Sequence, residues 1–296
     1  MSAADPDFTL SNCRVAVVGL GLMGGSLALA LRGRCRLLLG CDPDPAAREL
    51  ARACRAVDGV SADPAEILPQ ADLVVLAAPV RAILGLLADL PRLHPGQAVV
   101  LDLGSTKRAV VAAMQKLPPR LDALGGHPMC GREKGGLAAA DPGLFAGRTF
   151  AFTALERTSP GARRLADELA LALGARALWL DAVTHDRWTA ATSHLPYLAA
   201  NALAAVTPTE AAPLAGSGFS SSTRVAATPA GMMLDVLLTN RENVLAGLAQ
   251  LQAQLARLES SLAQGDEAAL RELLLAGAAQ REILVPSAAA GNEHKA

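Results

Sequence analysis

The chain has 296 residues, of which 51% are hydrophobic, 19% charged and only 3% aromatic, with a formal net charge of −1. A balance so close to neutral removes the electrostatic basis for holding nucleic acid or an anionic membrane, and leaves a small molecule as the expected partner. The length suits two domains, with cores built from Ala, Leu and Val rather than from aromatic rings.

The opening stretch "MSAADPDFTLSNCR" has no basic segment leading into an apolar one, and no run reaches the roughly 18 apolar residues of a membrane span. A cytoplasmic protein is expected. Cys13, Cys35, Cys41, Cys54 and Cys130 are odd in number, scattered and without C-x-x-C spacing. That pattern argues against a disulfide framework and against a zinc site, so no metal is expected.

"RVAVVGLG" is a short β-branched run ending in glycine, as a buried parallel strand does, and "LMGGSLALALRG" after it reads as a helix. The alternation repeats through "CRLLLGCD", "ADLVVLAAP" and "QAVVLDLGS", each followed by a helical stretch. It predicts an α/β fold, a Rossmann-type doubly wound parallel sheet. "GRTFAFTAL" and "ARALWLD" extend the sheet, giving a first domain over residues 12–182.

Gly19, Gly21 and Gly24 form G-x-G-x-x-G around Leu20, Leu22 and Met23, between the first strand and its helix. Backbone N–H groups and the helix dipole can hold a pyrophosphate there. Asp42 lies about 20 residues on at the end of the second strand, placed to accept from a ribose 2'-hydroxyl and to repel a 2'-phosphate. The cofactor expected is NAD. Ala78 and Pro79, and then "DLGSTK" with Ser105, end the next two strands and face the same crevice. Ser105 also reads as a cap for a helix starting near Thr106.

"GGHPMCGREKGG", with its five glycines and a proline, is expected to be a loop that carries His127 to that edge. From Val183 the spacing turns helical, giving a second domain over 183–286, and 287–296 reads as a disordered tail. Leu245, Leu248, Leu251, Leu255, Leu258 and Leu262 make one stripe, either a core face or the seam of a homodimer. "THDRWTAATSHLPYLAANAL" and "GSGFSSSTRVAATPAG" stand out in this half for His185, His194 and the single Arg224. An arginine there is suited to bidentate capture of a carboxylate, although a surface ion pair would also account for it.

Taken in order, G-L-G-L-M-G-G-S, D-L-G-S-T-K, G-G-H-P-M-C-G-R-E-K-G-G, S-H-L-P and G-F-S-S-S-T-R-V-A resemble the prephenate and arogenate dehydrogenase family of tyrosine biosynthesis, from about Arg14 to Asn240. The resemblance implies a dinucleotide domain followed by a helical dimerisation domain. It implies His127 as catalytic histidine, Ser105 beside it and the nicotinamide, and Glu133 as a supporting acid of the same loop. Arg224 becomes the anchor of a substrate carboxylate, with His185 and His194 lining the substrate side. The implied reaction is NAD-dependent oxidative decarboxylation of prephenate, with arogenate or dual specificity as the alternative.

The chain departs from the family where Tyr197 replaces a second histidine of S-H-L-P-H, where Arg132 and Gly135 replace a Thr and a Ser, and at "TPAGMM". Tyr197 bears on substrate choice and on inhibition by tyrosine. No C-terminal regulatory domain is expected. A β-hydroxyacid dehydrogenase would need a lysine in the helical half, where only Lys295 occurs. A non-catalytic NAD sensor would not need His127, Ser105 and Arg224 together.

Overall fold

A computed structural model describes residues 8–132 and 134–285. Residues 8–244 form one compact unit built on an eight-stranded sheet. In chain order the elements are β1 (Arg14–Val18), α1 (Leu22–Leu31), β2 (Leu37–Cys41), α2 (Pro45–Ala53), β3 (Gly59–Ser61), α3 (Pro64–Ile67), β4 (Leu73–Leu76) and α4 (Val80–Leu93). There follow β5 (Ala98–Asp102), α5 (Arg108–Met114), β6 (Leu121–Pro128), β7 (Thr149–Ala154), α6 (Pro160–Ala172) and β8 (Arg176–Trp179). Helices α7 (Ala182–Thr189), α8 (Leu195–Val206), α9 (Ser217–Thr223), α10 (Ala230–Thr239), α11 (Arg241–Gln264) and α12 (Glu267–Leu284) complete the described chain.

The strand order is β3-β2-β1-β4-β5-β6-β7-β8. Successive side chains feed opposite faces. Val15, Val17, Val75, Val99 and Leu101 join one core with α1 and α6, whereas Ala16, Val18, Val74, Leu76 and Val100 join the other with α4 and α5. Strands buried on both faces read as the continuous apolar runs seen in the sequence, and each fully buried Val or Leu contributes about 1.5–3 kcal/mol. Helix starts are capped as their residues dictate: Asp44, Asp63, Ser159 and Asp181 each accept a backbone N–H from the first turn of the helix that follows. α1 differs, since Gly21 precedes it and offers no side-chain cap.

The doubly wound sheet is as expected, with two corrections. The three-residue β3 was not foreseen, and β7 runs antiparallel to β6 while β8 pairs parallel to β7. A parallel return needs a crossover, usually a helix. Among the described residues, the segment between β6 and β7 offers only a single 3-10 turn, Leu137–Ala139, so the chain comes back beside itself.

The glycine-rich stretch is also not wholly a loop. β6 continues through Pro128, with His127 opposite Ala151. Glycine is required at 125 and 126 by close packing rather than by a turn. A Cβ on Gly125 would stand 2.9 Å from Lys107 Cδ, and one on Gly126 2.7 Å from the Asp102 carbonyl oxygen.

Residues 183–244 pack with the sheet through α7 against α5 and α10 against α4. The second unit starts at Leu245. None of its described residues is fully buried, and Leu245, Leu255 and Leu262 are 53%, 55% and 70% exposed. The leucine stripe is thus open to solvent at these three positions and half-buried at Leu248, Leu251 and Leu258. The tail 287–296 and Glu133 lie outside the described residues. Among the described residues no helix is long and apolar enough to cross a membrane. All five cysteines are free.

Candidate active site

Two cavities meet at the C-terminal ends of β1, β4, β5 and β6, where open α/β sheets place their ligands. One, of about 430 Å³, is lined by Gly21, Leu22, Met23, Ala78 and Pro79 among others. The second, of about 390 Å³, is lined by His194, Tyr197, Arg224 and Met233 among others. Ser105 and His127 line both. They stand at the junction.

The first cavity fits a dinucleotide. Gly19 has φ +97°, and a Cβ there would meet the Ala77 carbonyl oxygen at 2.4 Å. A Cβ on Gly24 would lie 1.9 Å from the Gly19 carbonyl oxygen. These two glycines let the turn close against β4 and α1, while Gly21 to Met23 present the uncapped start of α1 to the cavity. The Asp42 carboxylate accepts from Leu20 N at 2.7 Å and from Asp44 N at 2.9 Å. It braces the glycine turn, and the oxygens keep lone pairs for a hydroxyl donor.

Beneath His127 lies a charged pair that the sequence reading did not single out. Lys107 and Asp102 are fully buried and in direct contact, Lys107 Nζ donating to Asp102 Oδ2. Lys107 Nζ also donates to the Gly126 carbonyl oxygen at 2.6 Å, and Asp102 Oδ1 accepts from Gly126 N at 3.1 Å. Both polar groups of Gly126 are thereby fixed. Burial pushes the Asp102 carboxyl up and the Lys107 ammonium down, and their contact opposes both shifts. The signal was present in D-L-G-S-T-K: a charge at a strand end and its opposite five residues on.

Helix α5 begins at Arg108, two residues after Thr106, but Ser105 does not cap it. The cap comes from α7, where Asp186 Oδ1 accepts from Lys107 N at 2.7 Å and Oδ2 from Arg108 N at 2.9 Å. Ser105 is left to face the cavities.

His185 was expected on the substrate side and stands instead behind His127. It is buried, with Nδ1 2.8 Å from Asp186 Oδ1 and Nε2 3.0 Å from His127 Nδ1. Burial, then the neighbouring His185, Lys107 and His194, hold the His127 pKa well below the usual histidine value. The imidazole is therefore neutral near pH 7 and able to accept a proton.

His194 ends a π-helical turn, Ala190–His194, that joins α7 to α8. Pro196 follows and has no N–H to return to the preceding turn, where the helix widens. His194 Nδ1 is 3.3 Å from Asn240 Nδ2, which itself donates to the Asp186 carbonyl oxygen at 2.6 Å. Burial lowers the His194 pKa to about 4, against the opposing pull of Asp186. Tyr197 is buried one turn later, packed with Met233 and Val236. Arg224 begins a 3-10 turn after α9 and is the one arginine of the distal cavity that comes from the helical half.

The sequence model of the family described as "Prephenate dehydrogenase, nucleotide-binding domain" matches residues 27–179, and that described as "Prephenate dehydrogenase, dimerization domain" matches 181–276. The chain is 32% identical over 243 residues to the prephenate dehydrogenase of Bacillus subtilis (strain 168), covering 78% of this chain but 65% of that protein's length. It is 29% identical to the cyclohexadienyl dehydrogenase of Zymomonas mobilis, covering 85% of this chain and 89% of that one. The structure of prephenate dehydrogenase from A. aeolicus in complex with hydroxyphenyl propionate and NAD+ superposes with a TM-score of 0.85 at 28% identity, over 93% of this chain and 99% of that one. Matched over its sheet and its helical half alike, the chain belongs to the prephenate dehydrogenase family.

Proposed function

We propose that the protein is an NAD-dependent dehydrogenase that converts prephenate to 4-hydroxyphenylpyruvate and carbon dioxide in tyrosine biosynthesis. The observation that carries this reading is the place of His127 at the junction of the two cavities beside Ser105, in surroundings that push its pKa down. Bound NAD supplies a two-electron hydride acceptor. His127 Nε2 takes the proton of the substrate 4-hydroxyl as C4 gives up its hydrogen with the electron pair; the ring carboxylate departs as carbon dioxide, the ring becomes aromatic, and His127 returns the proton to the phenolate oxygen of the product. Ser105 orients the imidazole or the hydroxyl. Arg224 holds a substrate carboxylate in a charge-assisted fork, which sets the ring's distance and face. His194 and Tyr197 shape the far wall of the same cavity.

Leu22, Met23, Ala78 and Pro79 shape the dinucleotide cavity, the uncapped start of α1 meets the pyrophosphate, and Asp42 accepts from the adenosine ribose. Glu133 belongs to this reading as a supporting acid on the strength of the motif alone. The working molecule is a homodimer, supported by the dimerization-domain match and by the exposed leucines of α11. Five free thiols and the biosynthetic relatives favour the cytoplasm.

The relative named cyclohexadienyl dehydrogenase favours a second reading, in which arogenate is also used. One assay separates these. NADH or NADPH formation is followed with prephenate and arogenate, each with NAD and NADP, and turnover of prephenate with NAD is expected to dominate. No turnover of either acid sinks the proposal.

A further inference from the structure

A base is useful only if its lone pair faces the proton it must take, and a neutral imidazole carries its hydrogen on one nitrogen or the other. The partners of His127 decide which. The Asp186 carboxylate is held by the two N–H groups that open α5, from Lys107 and Arg108. As a carboxylate it has only lone pairs to offer, so His185 Nδ1, 2.8 Å from Oδ1, is the donor of that pair. The opposite nitrogen of a neutral His185, Nε2, then has a lone pair. It lies 3.0 Å from His127 Nδ1, which must be the donor of the second bond.

We infer that His185 and Asp186 form a positioning relay that keeps the hydrogen of His127 on Nδ1 and leaves Nε2 bare toward the cavities. The inference rests on His127 as the base but concerns two residues that do not touch substrate. When His127 Nε2 takes the substrate proton, no bond in the relay breaks. The Nδ1–H stays donated to His185 Nε2, and Asp186 offsets the charge through His185. The arrangement explains why Asp186, on a helix from the second half of the chain, caps a helix of the sheet. One carboxylate sets the docking of α7 on α5 and the state of the base together.

The groups facing His127 agree with a neutral, singly oriented ring. His185, the buried Lys107 ammonium held by Asp102, and His194 all oppose a second proton on it. An imidazolium at His185 would reverse the pattern. Both its nitrogens would donate, His127 Nδ1 would accept, and the hydrogen of His127 would sit on Nε2, where it blocks the reaction.

The test is a long-range 1H–15N spectrum of the wild-type protein carrying 15N in its five histidine rings, with His127 assigned by its loss in His127→Asn. Near pH 7 His127 should show Nδ1 protonated and Nε2 bare. This reading needs no turnover, so it stands or falls separately from the choice of substrate. His185→Leu removes the acceptor and should mix the two tautomers of His127, lowering kcat roughly 10²-fold while leaving the Kd of NADH and the substrate KM within a few fold. His185→Gln keeps a carbonyl oxygen at that place and should recover about tenfold of the loss. A wild-type His127 protonated on Nε2 overturns the relay. So does a His185→Leu protein with an unchanged His127 spectrum, or a His185→Gln protein no better than His185→Leu.

Discussion

Lys107 Nζ donates to the carbonyl oxygen of Gly126 from beneath β6, one residue before the strand presents His127 to the cavities. The ammonium is buried, and its counter-charge Asp102 grips the same glycine through its N–H. The base thus stands on a clamped strand rather than on a free loop.

Removing one charge of that clamp should be costly because the other stays buried. Lys107→Met is expected to lower stability by about 3–5 kcal/mol, read as a fall in the urea midpoint. Lys107→Met with Asp102→Leu should recover part of it, the unrecovered part reflecting the N–H groups of Gly104 and Gly126 left without Asp102. A single variant as stable as the parent would mean that no uncompensated charge is left behind, so that Lys107 and Asp102 are not an ion pair.

His127→Asn should lower kcat by roughly 10²- to 10⁴-fold while NADH affinity, measured by fluorescence titration, stays within a few fold. A variant with near-parental kcat removes His127 from the chemistry.

Arg224→Ala should raise the substrate KM by roughly 10- to 100-fold, the loss of one charge-assisted pair at a solvent-facing residue. An unchanged KM with both acids would leave Arg224 a structural role only.

The pH dependence follows from the two lowered histidines. His127 works as a base when neutral, so kcat/KM should stay flat as pH falls through about 6.5 and drop only below it. An acid limb centred at or above that value contradicts the buried setting of the ring. For stability the sign is the same. His194, lowered to about 4, binds fewer protons folded than unfolded between about pH 6.5 and 4. Its contribution, about 3 kcal/mol at most, is complete above that window and lost as pH falls through it. Urea midpoints at pH 7, 5.5 and 4.5 should fall less steeply in His194→Gln.

Leu255 and Leu262 lie on the exposed stripe of α11. If the proposed homodimer closes through this stripe, the parent should sediment as a dimer and Leu255→Asp with Leu262→Asp as a monomer, since each puts a charge where an apolar seam would close. A dimer that persists at micromolar concentration would place the seam elsewhere.

Much of the sheet was legible in the chain because buried parallel strands are continuous apolar runs, and helices between them carry their own starts in Asp44, Asp63 and Ser159. The glycine turn, Ser105, His127, His194, Tyr197 and Arg224 were legible as motifs, and the fold gathers them around two adjoining cavities. The extension of β6 through His127 was not, because Gly125 and Gly126 look like a turn until the Lys107 side chain and the β5 backbone packed against them are known. Nor was the place of His185, whose neighbours His127 and Asp186 are respectively 58 residues away and adjacent.

Local propensity and binary pattern by themselves determined the α/β class, the dinucleotide turn and the residues able to do chemistry, since these depend on a few neighbours in the chain. Only the tertiary structure decided the direction of β7, the buried Lys107–Asp102 clamp and the order His127, His185, Asp186. Hydrogen bonds and buried charges act over about 3 Å in space, and residues that distance apart can be any distance apart in sequence.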